Sequence, residues 1–298
     1  MITRRHILGG LAGMALPIRL RAGEDGHRPI PSTGEAIPAI GLGSWITFNV
    51  GNDPVLRGRS AAVIAAFFEE GGGMIDSSPM YGSSQEVIGD GLARLGYPAA
   101  LFSADKVWTR AVDGDAQIEA TRRNWGVEQF DLLQVHNLVA WRSHLPRLSE
   151  MKAAGLVRYV GITTSHGRRH RDFEAVMKAH PLDFVQLTLN AVDREIETRL
   201  LPLARDRGMA VIVNRPFRRG ALPERLRNAP LPGWAAEIGV TSWAQALIKF
   251  ILAHPAVTVA IPATTRVDHV RENKAAALGP MPDAALRERI ARDVDRAI

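Results

Sequence analysis

The chain alternates short apolar runs with helix-like segments, and this alternation constrains its fold more than any other feature. Eight runs read as strands: IPAIGLG, GMIDS, LFSADKV, DLLQVHN, VRYVGIT, DFVQLTLN, MAVIVN and VTVAIPA. Helix-like segments such as RSAAVIAAFFEEGG and SSQEVIGDGLARLG lie between them. Strands that are apolar on both faces are typical of a parallel sheet covered by helices. Eight such units predict an α/β protein with a (β/α)8 TIM barrel.

The segment before the first run, HRPIPSTGEAIPA, reads as two short extended pieces around the turn STGE, which predicts an N-terminal β-hairpin. A doubly wound sheet is the rival fold, but it usually carries a glycine-rich phosphate turn after its first strand. That turn is missing here. No linker or shift in composition marks a second domain, so residues 26–298 are predicted to form a single barrel domain.

The first 25 residues are typical of an export signal rather than of the barrel. Arg4 and Arg5 follow Thr3, and a mildly apolar stretch follows them, in a pattern that resembles a twin-arginine signal. The stretch is too short to span a bilayer. We therefore expect residues 1–25 to be a signal segment, the twin-arginine export machinery to be a partner, and the protein to be periplasmic. The alternative is an uncleaved extension on a cytoplasmic protein.

The composition excludes several kinds of site. The sequence has no cysteine, so disulfides, thiolate zinc sites and cysteine nucleophiles are ruled out. The net charge of +6 is modest for 298 residues, and the densest basic run has no aromatic residues for base stacking, so nucleic acid is not an expected partner. His166 and His170 are four residues apart but have no third ligand nearby, and no metal site is predicted.

Three successive predicted strands end in ionisable residues: Asp76, Lys106 and His136. Tyr81 follows Asp76 by five residues. The active site of a TIM barrel lies at the carboxyl ends of its strands, so these four side chains are expected to meet there. Each one alone could be structural, as a turn cap, a solvated lysine, a loop aromatic or a core histidine. Together they indicate a catalytic site.

These four residue types suit the protonation of a carbonyl oxygen. A phenol titrates near pH 10, so Tyr81 is a weak acid at neutral pH unless a cation stabilises its phenolate. Lys106 can supply that cation, and Asp76 can hold the ammonium group. His136 can orient the substrate oxygen. The expected reaction is the addition of hydride to a carbonyl carbon, with a lowered pKa for Tyr81.

These residues also carry a resemblance to a known family. The pattern formed by Asp76, Tyr81, Gly82 and Glu86, with Glu86 one residue further along than usual, is followed by Lys106 and DLLQVH, and IPAIGLGSW precedes it. From roughly residue 29 to 273 the chain resembles the aldo-keto reductases, NADPH-dependent carbonyl reductases on a (β/α)8 barrel. The resemblance implies a small carbonyl substrate. It also implies Tyr81 as general acid, Lys106 and Asp76 as its tuning pair, and His136 as the residue that orients the carbonyl.

The resemblance further implies NADPH as the cofactor and assigns residues to it. Gln186 would contact the nicotinamide carboxamide, and the segment IPATTRVDHVRENKAA would hold the adenosine phosphate. The residues expected to bind the cofactor are Gln186, Thr264, Thr265, Arg266, Glu272 and Asn273. A helix N-terminus after the eighth strand is also a natural anion site, and the charge of Arg266 favours NADPH over NADH.

Two positions depart from the family pattern. Asn214 replaces an aromatic residue that commonly stacks on the nicotinamide, and Thr164 replaces an asparagine. The C-terminal substrate loop is short, which predicts an open pocket. Two alternatives to a reductase stay open: a Schiff-base lyase that uses Lys106 as nucleophile, and a cofactor-binding sensor or partner subunit with low turnover.

Overall fold

The computed structural model describes residues 26–298. The predicted signal segment, residues 1–25, lies outside them. The described chain begins with the predicted hairpin, in which β1 (His27–Pro29) pairs antiparallel with β2 (Ala36–Pro38). Ile30 and Ile37 of this hairpin belong to the same buried cluster as residues of the barrel interior. The hairpin therefore contributes apolar side chains to the core inside the barrel.

Eight parallel strands follow and form one sheet in chain order. They are β3 (Leu42–Gly43), β4 (Met74–Asp76), β5 (Phe102–Val107), β6 (Phe130–Val135), β7 (Val157–Thr163), β8 (Phe184–Thr188), β9 (Ala210–Asn214) and β10 (Val259–Ala260). Bridges between Ile40 and Ala260 and between Gly43 and Ala263 join the first strand to the last. The sheet is thus closed, and the predicted barrel is confirmed.

Helices connect the strands on the outside. They are α1 (Pro54–Glu69), α2 (Ser84–Arg94), α3 (Asp115–Trp125), α4 (Trp141–Ala153), α5 (His170–Ala179), α6 (Leu200–Asp206), α7 (Ala221–Leu226), α8 (Trp234–Glu237), α9 (Trp243–Leu252), α10 (Val267–Ala275) and α11 (Ala284–Ala297). Local signals place the boundaries: Asp53 accepts the N–H groups of Val55 and Leu56 before α1, and Gly126 ends α3 in the left-handed region. The two short helices α7 and α8 after β9 had no sequence prediction.

The barrel contains two apolar cores. The larger one lies between strands and helices and includes Phe67, Trp125 and Phe250. The smaller one fills the barrel and includes Phe102 and Phe184. Successive side chains of a strand point to opposite faces, so each strand serves both cores. Within residues 26–298, no helix is long and apolar enough to cross a membrane.

Candidate active site

A buried ion pair joins the second and third barrel strands. Lys106 Nζ, on β5, donates to Asp76 Oδ2, at the end of β4, over 2.7 Å, and to the backbone oxygen of Ser77 over 2.5 Å. The two strands are neighbours in the sheet, which brings their carboxyl ends together. The Lys106 side chain is 0% exposed and that of Asp76 is 2% exposed. The ammonium group is therefore held in a fixed position below the rim of the barrel.

The structure brings the other two predicted residues to the same place. The Tyr81 ring centroid lies 5.4 Å from Lys106 Nζ. The ring stands perpendicular to that of His136, with centroids 5.8 Å apart. Tyr81, His136 and Asp76 line one cavity of about 910 Å³ at the carboxyl ends of the strands. All four side chains expected at the rim are therefore neighbours in space.

The expected lowering of the Tyr81 pKa is wrong for this arrangement. Burial, followed by the negative charges of Asp76 and Asp105, raises the pKa of Tyr81 well above 10. The sequence argument counted the positive charge of Lys106, but neither the burial of the phenol nor the effect on it of the negative charge of Asp76, which pairs with that ammonium at 2.7 Å. Tyr81 is consequently protonated at neutral pH, which is the form a proton donor needs.

His136 lies just beyond the strand rather than in it, because β6 ends at Val135 and a 3-10 turn begins at His136. Its Nδ1 lies 2.7 Å from the hydroxyl oxygen of Ser78. Burial, and next the charge of Lys106, lowers the pKa of His136 well below 6.5. The imidazole is therefore neutral at pH 7, and one of its nitrogens carries a hydrogen.

Ser78 contacts the ring at Nδ1. Its Oγ accepts the backbone N–H of Met80 over 3.2 Å and keeps its own hydrogen, which it can donate to His136 Nδ1. When Ser78 is the donor, Nε2 carries the ring hydrogen in a residue that lines the cavity. The sequence interpretation missed Ser78, because a serine two residues after an aspartate is usually a turn residue.

A chain of hydrogen bonds runs from the ion pair across the barrel. Gln186 Nε2 donates to Asp76 Oδ1 over 2.8 Å, and Asn214 Nδ2 lies 3.4 Å from Gln186 Oε1. Asn214 also donates to the backbone oxygen of Thr164 over 2.9 Å and accepts from Thr188 Oγ1 over 2.6 Å. Thr164 and Asn214, the two positions that depart from the family pattern, are thus hydrogen-bonded to each other. Asn214 also fixes the Gln186 amide, which donates to Asp76. Both ends of the Gln186 amide have protein partners.

The segment after β10 lines two cavities rather than one. Thr264, Glu272 and Asn273 line the main cavity. Thr265 and Arg266 line a second cavity of about 440 Å³. The guanidinium of Arg266 pairs with Asp268, and both side chains are exposed. The predicted adenosine-phosphate residues are therefore split between two adjoining spaces.

Two residues that the sequence interpretation did not select also belong to these spaces. Arg59, from α1, lines the second cavity beside Arg266. Thr47 lines both cavities, and its hydroxyl is buried without a hydrogen-bond partner. Among residues 26–298, no group of three or more histidine, aspartate or glutamate side chains could hold a metal ion.

Fold and site together define a class of barrel enzyme in which a tyrosine, a buried lysine–carboxylate pair and a neutral histidine can act on one substrate oxygen. The sequence model of the Aldo/keto reductase family matches residues 39–288. The chain belongs to this family and is an oxidoreductase that reduces carbonyl compounds.

Individual relatives agree with this assignment. Methylglyoxal reductase YeaE of Escherichia coli is 27% identical over 80% of this chain and 85% of its own length. The NADH-specific methylglyoxal reductase of the same organism is 25% identical over 75% of this chain and 77% of its own length. An aldo/keto reductase from Klebsiella pneumoniae, whose crystal structure contains NADP and acetate, has the same fold, with a TM-score of 0.71 at 22% identity over 88% of this chain and 93% of its own.

Proposed function

We propose that the protein uses NADPH to reduce an aldehyde or ketone to the alcohol, with Tyr81 as the general acid. The observation that carries the proposal is the neutral phenol of Tyr81 between a neutral His136 and the buried Lys106–Asp76 pair, in one cavity. A protonated donor, an oriented N–H group and a fixed cation are what a developing alkoxide requires.

Each residue has a distinct part in the proposed reaction. His136 donates its Nε2–H to the carbonyl oxygen and holds it in position. Tyr81 transfers its phenolic proton to that oxygen as negative charge develops on it. Lys106 stabilises the phenolate that results, because its ammonium lies 5.4 Å from the ring centroid. When bound, a reduced nicotinamide supplies a hydride to the carbonyl carbon and is itself oxidised.

Gln186 and Asn214 keep the ion pair in place. Asp76 accepts from both Lys106 and Gln186, so its two oxygens are occupied and its orientation is fixed.

The environment of Lys106 does not favour the lyase alternative. A Schiff-base nucleophile needs an accessible, neutral amine, whereas the Lys106 side chain is fully buried and donates to two oxygens.

The donor groups that line the two cavities fit a phosphorylated dinucleotide. The unpartnered hydroxyl of Thr47 lies where the two cavities meet. Arg59 and Arg266 place two cations at the second cavity, to which Thr265 adds a hydroxyl, and Thr264 adds a hydroxyl to the main cavity. We infer that these residues hold the adenosine end and that the 2′-phosphate lies near the two arginines, which favours NADPH over NADH.

The preference for NADPH is testable because a similar protein is NADH-specific. We expect Arg266→Gln to weaken NADPH binding about 10-fold and to leave NADH binding within twofold, since one charge-assisted contact is lost. Arg271→Gln is the matched control, because Arg271 lies on α10, which begins directly after Arg266, and pairs with Glu70. Equal affinity of the unaltered protein for NADPH and NADH would refute the preference.

Turnover decides between a reductase and a sensor. Full-length protein is incubated with NADPH and a panel of aldehydes that begins with methylglyoxal, the substrate named for two similar proteins. We expect Tyr81→Phe to lower kcat at least about 100-fold while NADPH binding, followed by protein fluorescence, is unchanged. Tyr97→Phe, which alters an exposed tyrosine, controls for the loss of a phenol. NADPH binding with no turnover in any variant would instead favour the sensor.

We also propose that residues 1–25 direct export to the periplasm by the twin-arginine route. That route carries folded proteins, so a bound cofactor could travel with the barrel. Fractionation of cells that express the natural chain and an Arg4→Lys, Arg5→Lys double variant tests this proposal. We expect the natural chain in the periplasm and the variant in the cytoplasm. Finding both in the cytoplasm would refute export.

A further inference from the structure

A second buried carboxyl group lies beside Lys106 and has no part in the mechanism proposed above. Asp105 precedes Lys106 on β5 and is 0% exposed. Successive side chains of a strand point to opposite faces, so Asp105 points toward the surrounding helices while Lys106 points into the barrel. Burial of a carboxyl group is costly unless it is hydrogen-bonded, so its partners indicate what it does.

Asp105 accepts hydrogen bonds from three elements of the fold. Its Oδ2 accepts the Trp125 indole N–H over 2.7 Å, and its two oxygens accept from Gln85 Nε2 over 3.0 and 3.1 Å. Its Oδ1 accepts the backbone N–H of Lys106 over 2.6 Å. Trp125 is the last residue of α3 and Gln85 the second residue of α2, so one carboxyl group joins both helices to β5.

These contacts are open to either protonation state of Asp105. Burial raises the pKa of Asp105 to about 7, and the charge of Lys106 opposes this rise. An ionised carboxylate accepts at both oxygens, and a protonated carboxyl group keeps part of that acceptor capacity. The three donors are an amide, an indole and a backbone N–H, all of them uncharged. Asp105 therefore serves them as a hydrogen-bond acceptor rather than as a counter-ion.

The backbone N–H of Lys106 lies where the ladder between β4 and β5 ends. β4 stops at Asp76, which pairs with Ala104, and the N–H of Ser77 donates to the oxygen of Ala104. In a regular parallel ladder the next bond would run from the Lys106 N–H to the Ser77 oxygen. In this protein that N–H donates to Asp105, and the Ser77 oxygen accepts the Lys106 ammonium over 2.5 Å.

Asp105 thus determines which donor of Lys106 the Ser77 oxygen receives. Because the backbone N–H is bound to Asp105, the Ser77 oxygen accepts the ammonium group without competition from it. The other acceptor of the ammonium group is Asp76, over 2.7 Å. Two fixed acceptors therefore hold the ammonium group 5.4 Å from the Tyr81 ring centroid.

The same carboxyl group is connected to the segment that carries Tyr81. The N–H of Ser84, the first residue of α2, donates to the backbone oxygen of Tyr81 over 3.3 Å. The next residue is Gln85, whose amide donates to Asp105 and accepts from Asn124 of α3 over 3.2 Å. The beginning of α2 is therefore held against β5, and with it the loop that places the phenol near the ammonium group.

We propose that Asp105 is a positioning residue for the reduction, which holds the Lys106 ammonium and the Tyr81 phenol at the separation that proton transfer requires. This inference rests on the proposed reductase function. Asp105 lines neither of the two cavities, so it acts through Lys106 and Gln85 rather than on a ligand. Its replacement should slow the chemical step and leave the binding of NADPH and aldehyde unchanged, since a small misplacement of a reacting group lowers the rate strongly.

Single-turnover kinetics separate a positioning role from a merely structural one. Full-length protein is loaded with one equivalent of NADPH and mixed with a saturating concentration of the most reactive aldehyde of the panel that begins with methylglyoxal. The rate constant of NADPH oxidation reports the geometry of each competent site, and the amplitude reports the fraction of folded protein. We expect Asp105→Leu, which has a similar size but no acceptor, to lower the rate constant at least about 10-fold. Asp105→Asn keeps one acceptor oxygen and should give an intermediate rate constant.

Asp131→Leu is the matched control. Asp131 of β6 accepts the backbone N–H of Ser103 over 2.6 Å, which is the same kind of contact to β5 at the opposite end of that strand. We expect its rate constant and its NADPH affinity to stay within twofold, even where the amplitude falls. If Asp105→Leu does not fold, Asp105→Asn is decisive. Rate constants within twofold of the unaltered protein in the folded Asp105 variants would overturn the proposal, and so would an equal fall in Asp131→Leu.

The ammonium group can also be observed without turnover. In nitrogen-15 NMR of lysine-labelled protein, the signal of Lys106 is assigned by its absence from Lys106→Met. We expect slow hydrogen exchange at this ammonium group in the unaltered protein and in Asp131→Leu, and faster exchange in the Asp105 variants. Equal exchange in all of them would overturn the proposal. Failure of the unaltered protein to oxidise NADPH with any aldehyde would instead refute the reductase function, so the two failures are distinguishable.

Discussion

The substitution Ser78→Ala tests whether the protein fixes the histidine tautomer through a neighbouring hydroxyl. Ser78 lies 2.7 Å from His136 Nδ1 and accepts from the backbone of Met80. Removing the hydroxyl leaves Nδ1 without a donor, and the ring hydrogen can then move from Nε2 to Nδ1. His136 would in that form present a lone pair to the carbonyl oxygen instead of a donor.

The magnitude follows from one neutral hydrogen bond. Such a bond contributes about 1 kcal/mol net, which corresponds to roughly a fivefold change in an equilibrium. We therefore expect kcat/KM to fall about fivefold in Ser78→Ala. The pH profile should keep its shape, because the pKa of His136 is already well below 6.5 for reasons of burial. NADPH affinity should be unchanged.

Ser77→Ala is the control for the loss of a buried hydroxyl. Ser77 is the adjacent residue, and its Oγ contacts Ser84 Oγ at 3.0 Å rather than a catalytic side chain. Steady-state kinetics on both variants are combined with nitrogen NMR of the labelled imidazole, which reports the tautomer directly. The reasoning is refuted if Ser78→Ala retains kcat/KM within twofold, or if His136 keeps its hydrogen on Nε2 in that variant.

Three further predictions concern the ion pair, the pH profile and the packing. Lys106→Met should lower the free energy of unfolding by about 3–5 kcal/mol, because it leaves the buried carboxylate of Asp76 without its cation. Urea titrations measure this change, and a loss below about 1 kcal/mol would contradict the prediction. Burial lowers the pKa of His136 well below 6.5, so the imidazole is neutral at pH 6.5 and kcat/KM should show no inflection there. An acidic limb near pH 6.5 that disappears in His136→Gln would contradict this prediction. Gly89→Ala should destabilise the protein by at least about 2 kcal/mol, since its Cβ would lie 2.0 Å from the backbone oxygen of Asn124. Gly58→Ala places its Cβ in open space and should be neutral or stabilising. Thermal denaturation of both variants measures the difference.

The sequence was sufficient for the architecture because the pattern that predicts it is local and repeated. Each barrel strand is a short apolar run bounded by turns, and eight of them leave few alternatives for a parallel sheet. The two short helices directly after β9 were missed, since α7 and α8 have only 6 and 4 residues. Helices that short have too few residues for a periodicity to be recognised.

The meeting of the expected catalytic residues was predictable from the same pattern of strands, but their contacts were not. Asp76, Lys106 and His136 lie at or next to the carboxyl ends of successive strands, and the topology of a barrel brings such positions to one rim. Nothing in the spacing indicates that Ser78 contacts His136, 58 residues away. Nothing in it indicates that Gln186 contacts Asp76 across 110 residues. These contacts depend on side-chain directions that only the folded barrel defines.

The sequence alone therefore predicts the barrel, the family and the residue types at the rim, because hydrophobic periodicity and the residues at strand ends can be recognised in short segments. Only the tertiary structure determines the pKa values of the rim residues. It placed Asp76 against Lys106 and buried both with Tyr81, so the phenol pKa is raised where the sequence argument expected it to fall. The physical reason is that a pKa depends on every charge and on the solvent exposure around a group, and both are set by residues distant in the sequence.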